Sequence, residues 1–228
     1  ATPAAGYHFT GWNDGSVVTP RTISLVGDTS FVASFDTNIY QLIVSYDAVM
    51  GTVDAPATVK HFAPVTLTAE ANYGYHFTGW SDAQGNMLAT DASFELNAVC
   101  DTALVALFER NAYIAATGVN DTLMGTATVS DAAPLYLDVV TFTAVANTGY
   151  HFTGWSNGST DATIEVVVGG DTTVTAIFAL NQYTATATVN AAAMGTATVS
   201  NAAPYHGDTV VFTAVAAEGC HFIGWSNG

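Results

Sequence analysis

The chain has 228 residues, of which 50% are hydrophobic and only 10% are charged. Three basic residues stand against nineteen acidic ones, which gives a net charge of −16. Nucleic acid and anionic membranes are bound through clustered Lys and Arg, so this balance excludes nucleic acid as an expected partner. No apolar run approaches the roughly 20 residues of a membrane helix, and we expect no membrane insertion.

One seven-residue string, Gly-Tyr-His-Phe-Thr-Gly-Trp, recurs along the chain and is here called the aromatic motif. It occurs at residues 6–12, 74–80 and 149–155, and again at 219–225 with Cys220 for tyrosine and Ile223 for threonine. The successive tryptophans are 68, 75 and 70 residues apart, which indicates a tandem repeat protein. We divide the chain into repeat 1 (1–37, the C-terminal half of a repeat), repeat 2 (38–111, complete), repeat 3 (112–181, complete) and repeat 4 (182–228, the N-terminal part of a repeat).

Repeat 1 is predicted to contain the motif, a polar turn, a strand at 22–26, a Gly-Asp turn and a strand at 30–35. Phe31, Ala33 and Phe35 alternate with the period of two that a half-buried strand requires. The same alternation returns as Leu104, Ala106, Phe108 and as Val174, Ala176, Phe178. Because the tight Gly-Asp turn separates two such segments in each repeat, we predict that they form a hairpin.

The later repeats add strands before the motif. Strands are predicted at 40–46, 50–53 and 65–69 in repeat 2, and at 124–129 and 140–144 in repeat 3. In repeat 4 they are predicted near 194–195 and at 210–214. Short runs rich in Thr and Val, separated by Gly, Asn, Asp and Pro, are typical of strands and turns, and no window has the helical period. The predicted fold class is therefore all-β.

Each unit of ~70 residues reads as five or six short strands in a β-grasp-like fold or a small sandwich. Such a unit is barely large enough to be stable alone, so contact with adjacent repeats of the same chain is expected. The linkers at 36–38, 109–111 and 180–182 are too short to act as flexible tethers, which predicts an elongated rod. Both ends of the chain lie inside a repeat. Either this is part of a longer array, or the terminal half-repeats complete each other head to tail between molecules.

Four segments in fixed order carry a family resemblance: Met-Gly-Thr, Asp-Thr-Val-x-Phe-Thr-Ala at 208–214, the aromatic motif, and Gly-Asp-Thr-Thr-Val-Thr-Ala-x-Phe at 170–178. Together they resemble the divergent internalin-type B-repeat family, related to the Listeria–Bacteroides repeats of bacterial surface proteins. The resemblance implies β-rich modules, related to a β-grasp-like fold, on secreted or surface-anchored proteins, and it brings no catalytic residues. Repeat 2 departs from the pattern at 62–64 and at Cys100.

Strand alternation predicts that the tyrosine and phenylalanine of each motif face the core and that the tryptophan plugs one end of it. The alternative for the tryptophans is a ladder that stacks sugar rings. The glycine before each tryptophan predicts a bulge or a close backbone approach. The candidate structural residues are Tyr7, Phe9, Trp12, Tyr75, Phe77, Trp80, Tyr150, Phe152, Trp155, Phe222 and Trp225.

No metal or cofactor is predicted. Zinc needs three or four converging ligands, whereas each motif supplies a single histidine (His8, His76, His151, His221). The oxygen-rich turns at 13–15, 81–82 and 156–158 leave a weak possibility of calcium, although turns favour the same residue types. Cys100 and Cys220 have no partner within their own repeats and are interpreted as incidental small apolar residues.

We therefore predict a non-enzymatic structural or adhesive array, such as a stalk, spacer or filament segment, of an extracellular or cell-surface bacterial protein. No grouping of Ser, His and an acid suggests nucleophilic catalysis. The alternative is a set of accessory repeats that bind a glycan or a host protein and are attached to a functional domain outside these residues. Three trypsin sites in the whole chain suit an extracellular location.

Overall fold

The computed structural model describes residues 1–226, which contain eighteen strands and no helix. No segment of that part of the chain is therefore a helix able to cross a membrane. The all-β prediction is confirmed. The chain divides into two compact units, Ala1–Asn111 and a second that begins at Ala112. Repeats 1 and 2 form the first unit, and repeats 3 and 4 form the second.

Repeat 1 contributes a single antiparallel pair of strands to the first unit. The aromatic motif forms one strand, and the alternating segment that ends at Thr37 forms the other. These strands are β1 (Tyr7–Trp12) and β2 (Ala33–Thr37).

Repeat 2 forms two sheets. The first has the order β5-β3-β10-β7-β8, in which β3 and β10 are parallel and the motif strand β7 is antiparallel to β10. The second has the order β4-β6-β9 and is antiparallel throughout. The strands are β3 (Ile39–Ser45), β4 (Gly51–Asp54), β5 (Thr58–Lys60), β6 (Pro64–Ala71), β7 (Tyr75–Asp82), β8 (Met87–Ala89), β9 (Ser93–Asn97) and β10 (Thr102–Arg110).

The core of repeat 2 lies between its two sheets, which makes the repeat a small sandwich. Along β10, Leu104, Ala106 and Phe108 are buried and the residues between them are not, as the period of two requires. They pack with Leu67 of β6 and Trp80 of β7 in one cluster. Each fully buried large side chain contributes about 1.5–3 kcal/mol, so a few such residues account for much of the stability of a unit this small.

Repeat 3 repeats this architecture without the extra edge strands. One sheet has the order β11-β16-β14, with β11 and β16 parallel, and the other has the order β12-β13-β15. Val140 and Phe142 of β13 face Trp155, Ala176 and Phe178 across the core. The strands are β11 (Ala115–Val119), β12 (Gly125–Val129), β13 (Val139–Ala146), β14 (Tyr150–Trp155), β15 (Thr163–Val167) and β16 (Thr172–Leu180).

Repeat 4 retains only the antiparallel pair β17 (Gly195–Val199) and β18 (Phe212–Ala216). These strands correspond to β12 and β13 of repeat 3. Residues 220–225 of its aromatic motif form no strand, whereas the other three copies of the motif do. In those copies the motif strand pairs with the alternating strand β2, β10 or β16, and residues 182–226 contain no equivalent of that strand.

The predicted hairpin across the Gly-Asp turn is wrong. In repeat 2, β9 pairs with β6 whereas β10 pairs with β3 and β7, so the turn connects one sheet to the other. Repeat 3 has the same arrangement at β15 and β16. The alternation shows which face of each strand is buried, but it does not show whether two strands lie side by side or face each other across a core. Val168 lies in the connection between β15 and β16, is 1% exposed and packs into the core of repeat 3.

The predicted strand at 22–26 is also wrong. These residues are in no strand, and Val26 is fully exposed. The equivalent strands β9 and β15 are held by backbone hydrogen bonds to β6 and β13, and repeat 1 has no such strand to pair with. Strand propensity alone does not order a segment that has no partner strand.

This difference predicts where trypsin cuts first. Arg21 lies in the segment 13–32 outside any strand, whereas Lys60 and Arg110 lie in β5 and β10. A protease needs a mobile, extended stretch of backbone, which a hydrogen-bonded strand does not offer. Limited trypsinolysis followed by mass spectrometry is expected to show cleavage after Arg21 well before the other two sites. Equal rates at all three sites would contradict the described difference between repeats 1 and 2.

Candidate functional site: the aromatic motif and the repeat junction

A β-bulge sets the direction of the motif side chains. In β14, Phe152 lies opposite Phe178 and Gly154 lies opposite Ile177, so Thr153 is the extra residue. Two residues three positions apart normally face opposite sides of a strand, but the bulge turns Phe152 and Trp155 to the same side. Their rings meet edge to face at 5.5 Å. The motif therefore places two aromatic rings in one core.

The glycine before the tryptophan makes this bulge possible. Gly154 has φ of 155°, and a Cβ there would lie 3.0 Å from the carbonyl oxygen of Ser159. Gly79 has φ of 157°, and a Cβ there would lie 2.8 Å from the carbonyl oxygen of Ala89. Both conformation and space therefore require glycine. The predicted bulge is present in β1, β7 and β14.

The indoles of the complete repeats are enclosed. Trp80 is 0% exposed and Trp155 is 2% exposed. The Trp155 Nε1–H donates to the carbonyl of Asp161 at 2.9 Å, and that of Trp80 donates to the carbonyl of Asp91 at 3.1 Å. A buried indole N–H needs such a partner, so each tryptophan also fixes the loop that follows its motif. Neither ring presents a face on which a sugar could stack.

The partial repeats leave their motifs more open. Trp12 is half-buried, and its Nε1–H donates to the carbonyl of Val18. Trp225 is 37% exposed. Of the remaining candidate residues, Phe9, Tyr75, Phe77, Tyr150 and Phe152 are half-buried, whereas Tyr7 and Phe222, which both lie in partial repeats, are exposed.

The motif histidine is bonded to the linker that follows its repeat. The Nδ1–H of His151 donates to the side-chain oxygen of Asn181 at 2.8 Å, because that oxygen can only accept. The backbone N–H of the same asparagine donates to the carbonyl of Gly149 at 2.8 Å. The same pair of bonds joins His8 and Gly6 to Asn38, and His76 and Gly74 to Asn111. We call the motif glycine, the motif histidine and the linker asparagine the junction clamp.

A residue of the next repeat closes two of the three clamps. In the second unit, the His206 N–H donates to the carbonyl of Asn181 at 2.8 Å. The imidazole of His206 covers Gly149, so closely that a Cβ on this glycine would overlap the ring. Tyr183 hydrogen-bonds Nδ1 of His206 at 3.3 Å and holds the ring in place. In the first unit, His61 and Tyr40 make the same contacts over Gly6 and Asn38.

Sequence reasoning missed this junction, although two signals were present. An asparagine recurs in every linker, at 38, 111 and 181, and a histidine recurs at 61 and 206 in equivalent positions of repeats 2 and 4. Alternation along the motif strand correctly predicted that the motif histidine points away from the core: His151 is exposed. Its partner could not be found from strand alternation, because Asn181 lies 30 residues further along the chain, in the linker.

Other candidate ligands are engaged in local turns. Within residues 1–226, no three His, Cys, Asp or Glu side chains are grouped so as to hold a metal ion. The Asn86 side-chain amide donates to the Asp82 carboxylate at 2.8 Å and lowers the pKa of that carboxyl below its usual 3.8. The Arg21 guanidinium lowers the pKa of Asp14 through an ion pair at 2.6 Å. Cys100 and Cys220 are exposed free thiols.

One comparison with known proteins gives a match. The family model described as the divergent InlB B-repeat domain matches four segments in tandem, at residues 1–39, 42–112, 115–182 and 185–228. These segments include nearly the whole chain and contain all four aromatic motifs. No curated protein and no solved structure gives a match.

The enclosed indole predicts a large effect of truncation in repeat 3. Trp155→Ala removes a side chain that is 2% exposed and leaves a cavity, so we expect it to lower the local free energy of unfolding by about 3–5 kcal/mol. Trp225→Ala, at 37% exposure, is the matched control and should cost clearly less. Hydrogen exchange of the β13 and β16 amides measures the first effect. Equal and small losses for both variants would contradict the enclosed position of Trp155.

The imidazole over Gly149 predicts a second, separable effect. Gly149→Ala places a methyl group against the His206 ring in a backbone with φ of 89°. Gly158→Ala meets the same backbone strain at φ of 91° in the same repeat, but nothing lies within 4 Å of its Cβ. We expect Gly149→Ala to cost about 1–3 kcal/mol more than Gly158→Ala. The exchange rates of the Asn181 and His206 amides measure the difference, and equal rates in both variants would refute the contact.

Proposed function

The chain belongs to the divergent InlB B-repeat family over nearly its whole length, and from this premise we propose that it is a non-enzymatic stalk or spacer of an extracellular or surface-attached bacterial protein. Its principal partners are then its own adjacent repeats. The role of such a segment is to hold other parts of a protein at a distance. That requires repeats that fold securely and linkers that do not swing freely.

The observation that carries this proposal is the junction clamp. Gly149 and His151 engage Asn181 through two hydrogen bonds, and His206 of the next repeat adds a third. A linker held at its side chain, its N–H and its carbonyl has few free torsions left. Three linkers carry an equivalent asparagine bonded to the preceding motif, so this restraint on the linker backbone is repeated along the chain and is not a single contact.

The use of the aromatic residues supports the same proposal. A binding module displays its aromatic rings, whereas repeats 2 and 3 enclose Trp80 and Trp155. The acidic surface, with a net charge of −16, favours solubility and repels acidic surfaces. The scarcity of Lys and Arg removes most trypsin sites, which suits exposure to extracellular proteases.

Small-angle X-ray scattering of the full chain at low concentration tests the proposal. A compact globule of this length has a radius of gyration of roughly 17 Å. A stalk predicts a value well above this, with a scattering profile typical of an elongated, ordered particle. A glycan array and a pull-down from host-cell extract, run with the same material, should give no saturable binding. A radius near the globular value, or saturable binding lost on Trp155→Ala in a folded variant, would favour the accessory-module alternative.

A further inference from the structure

Strand β15 of the complete repeat 3 is an open sheet edge. It is the last strand in the order β12-β13-β15, and in the part of the chain that the structure describes it pairs only with β13. Next to its last residue, the Val168 N–H donates to the carbonyl of Asp138 at 2.8 Å and continues the ladder to β13. Because backbone groups alternate in direction along an antiparallel strand, the N–H and C=O of Thr163, Glu165 and Val167 point outward. Such an edge can accept a further strand.

The residues of β15 favour a further pairing. The strand Thr163–Val167 contains four β-branched residues and neither glycine nor proline. Short segments with high strand propensity and little charge pair readily with copies of themselves. On the outer face of the sheet, Val167 lies opposite Val139 of β13, and these side chains are 61% and 56% exposed. The edge therefore presents an apolar pair as well as outward backbone groups.

A single charge interrupts this segment at its centre. Glu165 is exposed and lies opposite Thr141 of β13. Repeat 2 has the same arrangement, in which Glu95 is the central residue of the edge strand β9 and lies opposite Thr66 of β6. Charged side chains on edge strands oppose pairing between neighbouring molecules. Both complete repeats therefore carry a glutamate where it hinders the addition of a strand.

We propose that β15 pairs antiparallel with β15 of a second copy of this chain, and that Glu165 controls this contact. The two-fold arrangement places Glu165 opposite the same residue of the second copy, and Thr163 opposite Val167. The outward backbone groups of these three residues then all have partners, and the two sheets become continuous. Pairing is blocked while both glutamates are ionised and is permitted once they are neutral.

The register explains why this one residue can block the contact. Residues that exchange both backbone hydrogen bonds across an antiparallel pair have Cα atoms about 5.5 Å apart, and their side chains leave the same face of the sheet. Two ionised Glu165 side chains in that position repel each other. The second unit has no Lys or Arg to offset them, because all three basic residues of the chain precede residue 112. Opposed like charges are enough to prevent a contact made by one short strand.

The other groups that titrate at acid or neutral pH lie beyond the ends of β15 or on the opposite sheet. Asp161 precedes β15, Asp171 follows it, and Asp138 lies in the turn before β13. Strands β12, β13 and β16 carry no ionisable side chain, whereas β14 carries His151, which is bonded to Asn181. Acidification therefore removes negative charge along the whole contact and places no positive charge at its centre.

Sedimentation velocity of the full chain at neutral pH tests the control by Glu165. The unmodified chain should be monomeric, and Glu165→Gln should strengthen dimerisation at least about tenfold, because it removes both opposed charges. Glu70→Gln is the matched control. Glu70 is also exposed, but its strand β6 lies between β4 and β9 and has no free edge, so this variant should stay monomeric. Equal association of both variants, or none with Glu165→Gln, would overturn the proposal.

A charge reversal tests the two-fold register. Glu165→Lys alone should stay monomeric, because two lysines then oppose each other. Mixed in equal amounts with the unmodified chain, it should form dimers with one copy of each, since a lysine then lies opposite Glu165. Glu70→Lys in the same mixture is the control for reduced net charge and should not associate. A Glu165→Lys mixture that remains monomeric would refute the register.

The unmodified chain should dimerise reversibly on acidification. Glu165→Lys should not, because lysine keeps its charge at a pH that neutralises carboxylates. In the acid dimer, hydrogen exchange should show new protection at the Thr163, Glu165 and Val167 amides. Acid association that Glu165→Lys shares equally, or protection confined to other strands, would contradict the proposed contact. Circular dichroism should show that all variants remain folded, since Glu165 and Glu70 are exposed.

This inference goes beyond the stalk function, and the two fail separately. The scattering test concerns the shape of a single chain at low concentration, which does not depend on pairing through β15. A radius of gyration near the globular value would likewise leave the result of the Glu165 variants unchanged.

Discussion

The burial of one indole at the end of one strand is the interaction on which each complete repeat depends. A repeat of about 70 residues has little core to spare, so a ring that contributes 150–250 Å² of buried surface is a large share of it. Trp155 reaches the core only because the bulge at Gly154 turns it to the same side as Phe152. The bulge and the glycine direct the indole into the core, and the carbonyl of Asp161 accepts its N–H there, so these features act together to bury the ring. The identity of the motif in three copies follows from that coupling.

The partial repeats show that strand formation by the motif depends on the strand beside it. The motif forms a strand wherever an alternating strand lies beside it, as β2, β10 and β16 do for β1, β7 and β14. The copy at 219–225 has the same aromatic residues at Phe222 and Trp225 but no alternating strand beside it, and it forms no strand. Strand formation here is a property of the pair of strands and not of the motif alone. The same reasoning explains why residues 22–26 form no strand and are exposed.

Much of the fold followed from local patterns. The repeat period, the all-β class and the positions of β3, β4, β6 and β13 were predicted, because alternation and turn residues act over a few positions. The pairing of strands was not: alternation in β9 and β10 gave two buried faces, and only the tertiary structure shows that those faces meet across a core. The junction clamp was missed for a related reason. Asn181 is unremarkable within its own repeat, and its role arises from contacts with Gly149, His151 and His206.

The central claim, that each complete repeat is a sandwich closed by its own indole, is tested most directly by hydrogen exchange at the four indole N–H groups, resolved by NMR. The account predicts strong protection for Trp80 and Trp155, whose N–H groups are bonded inside closed cores, and rapid exchange for Trp225, with Trp12 between them. Four indoles that exchange at the same fast rate would show that the tryptophans do not close the repeats, and the account would be wrong.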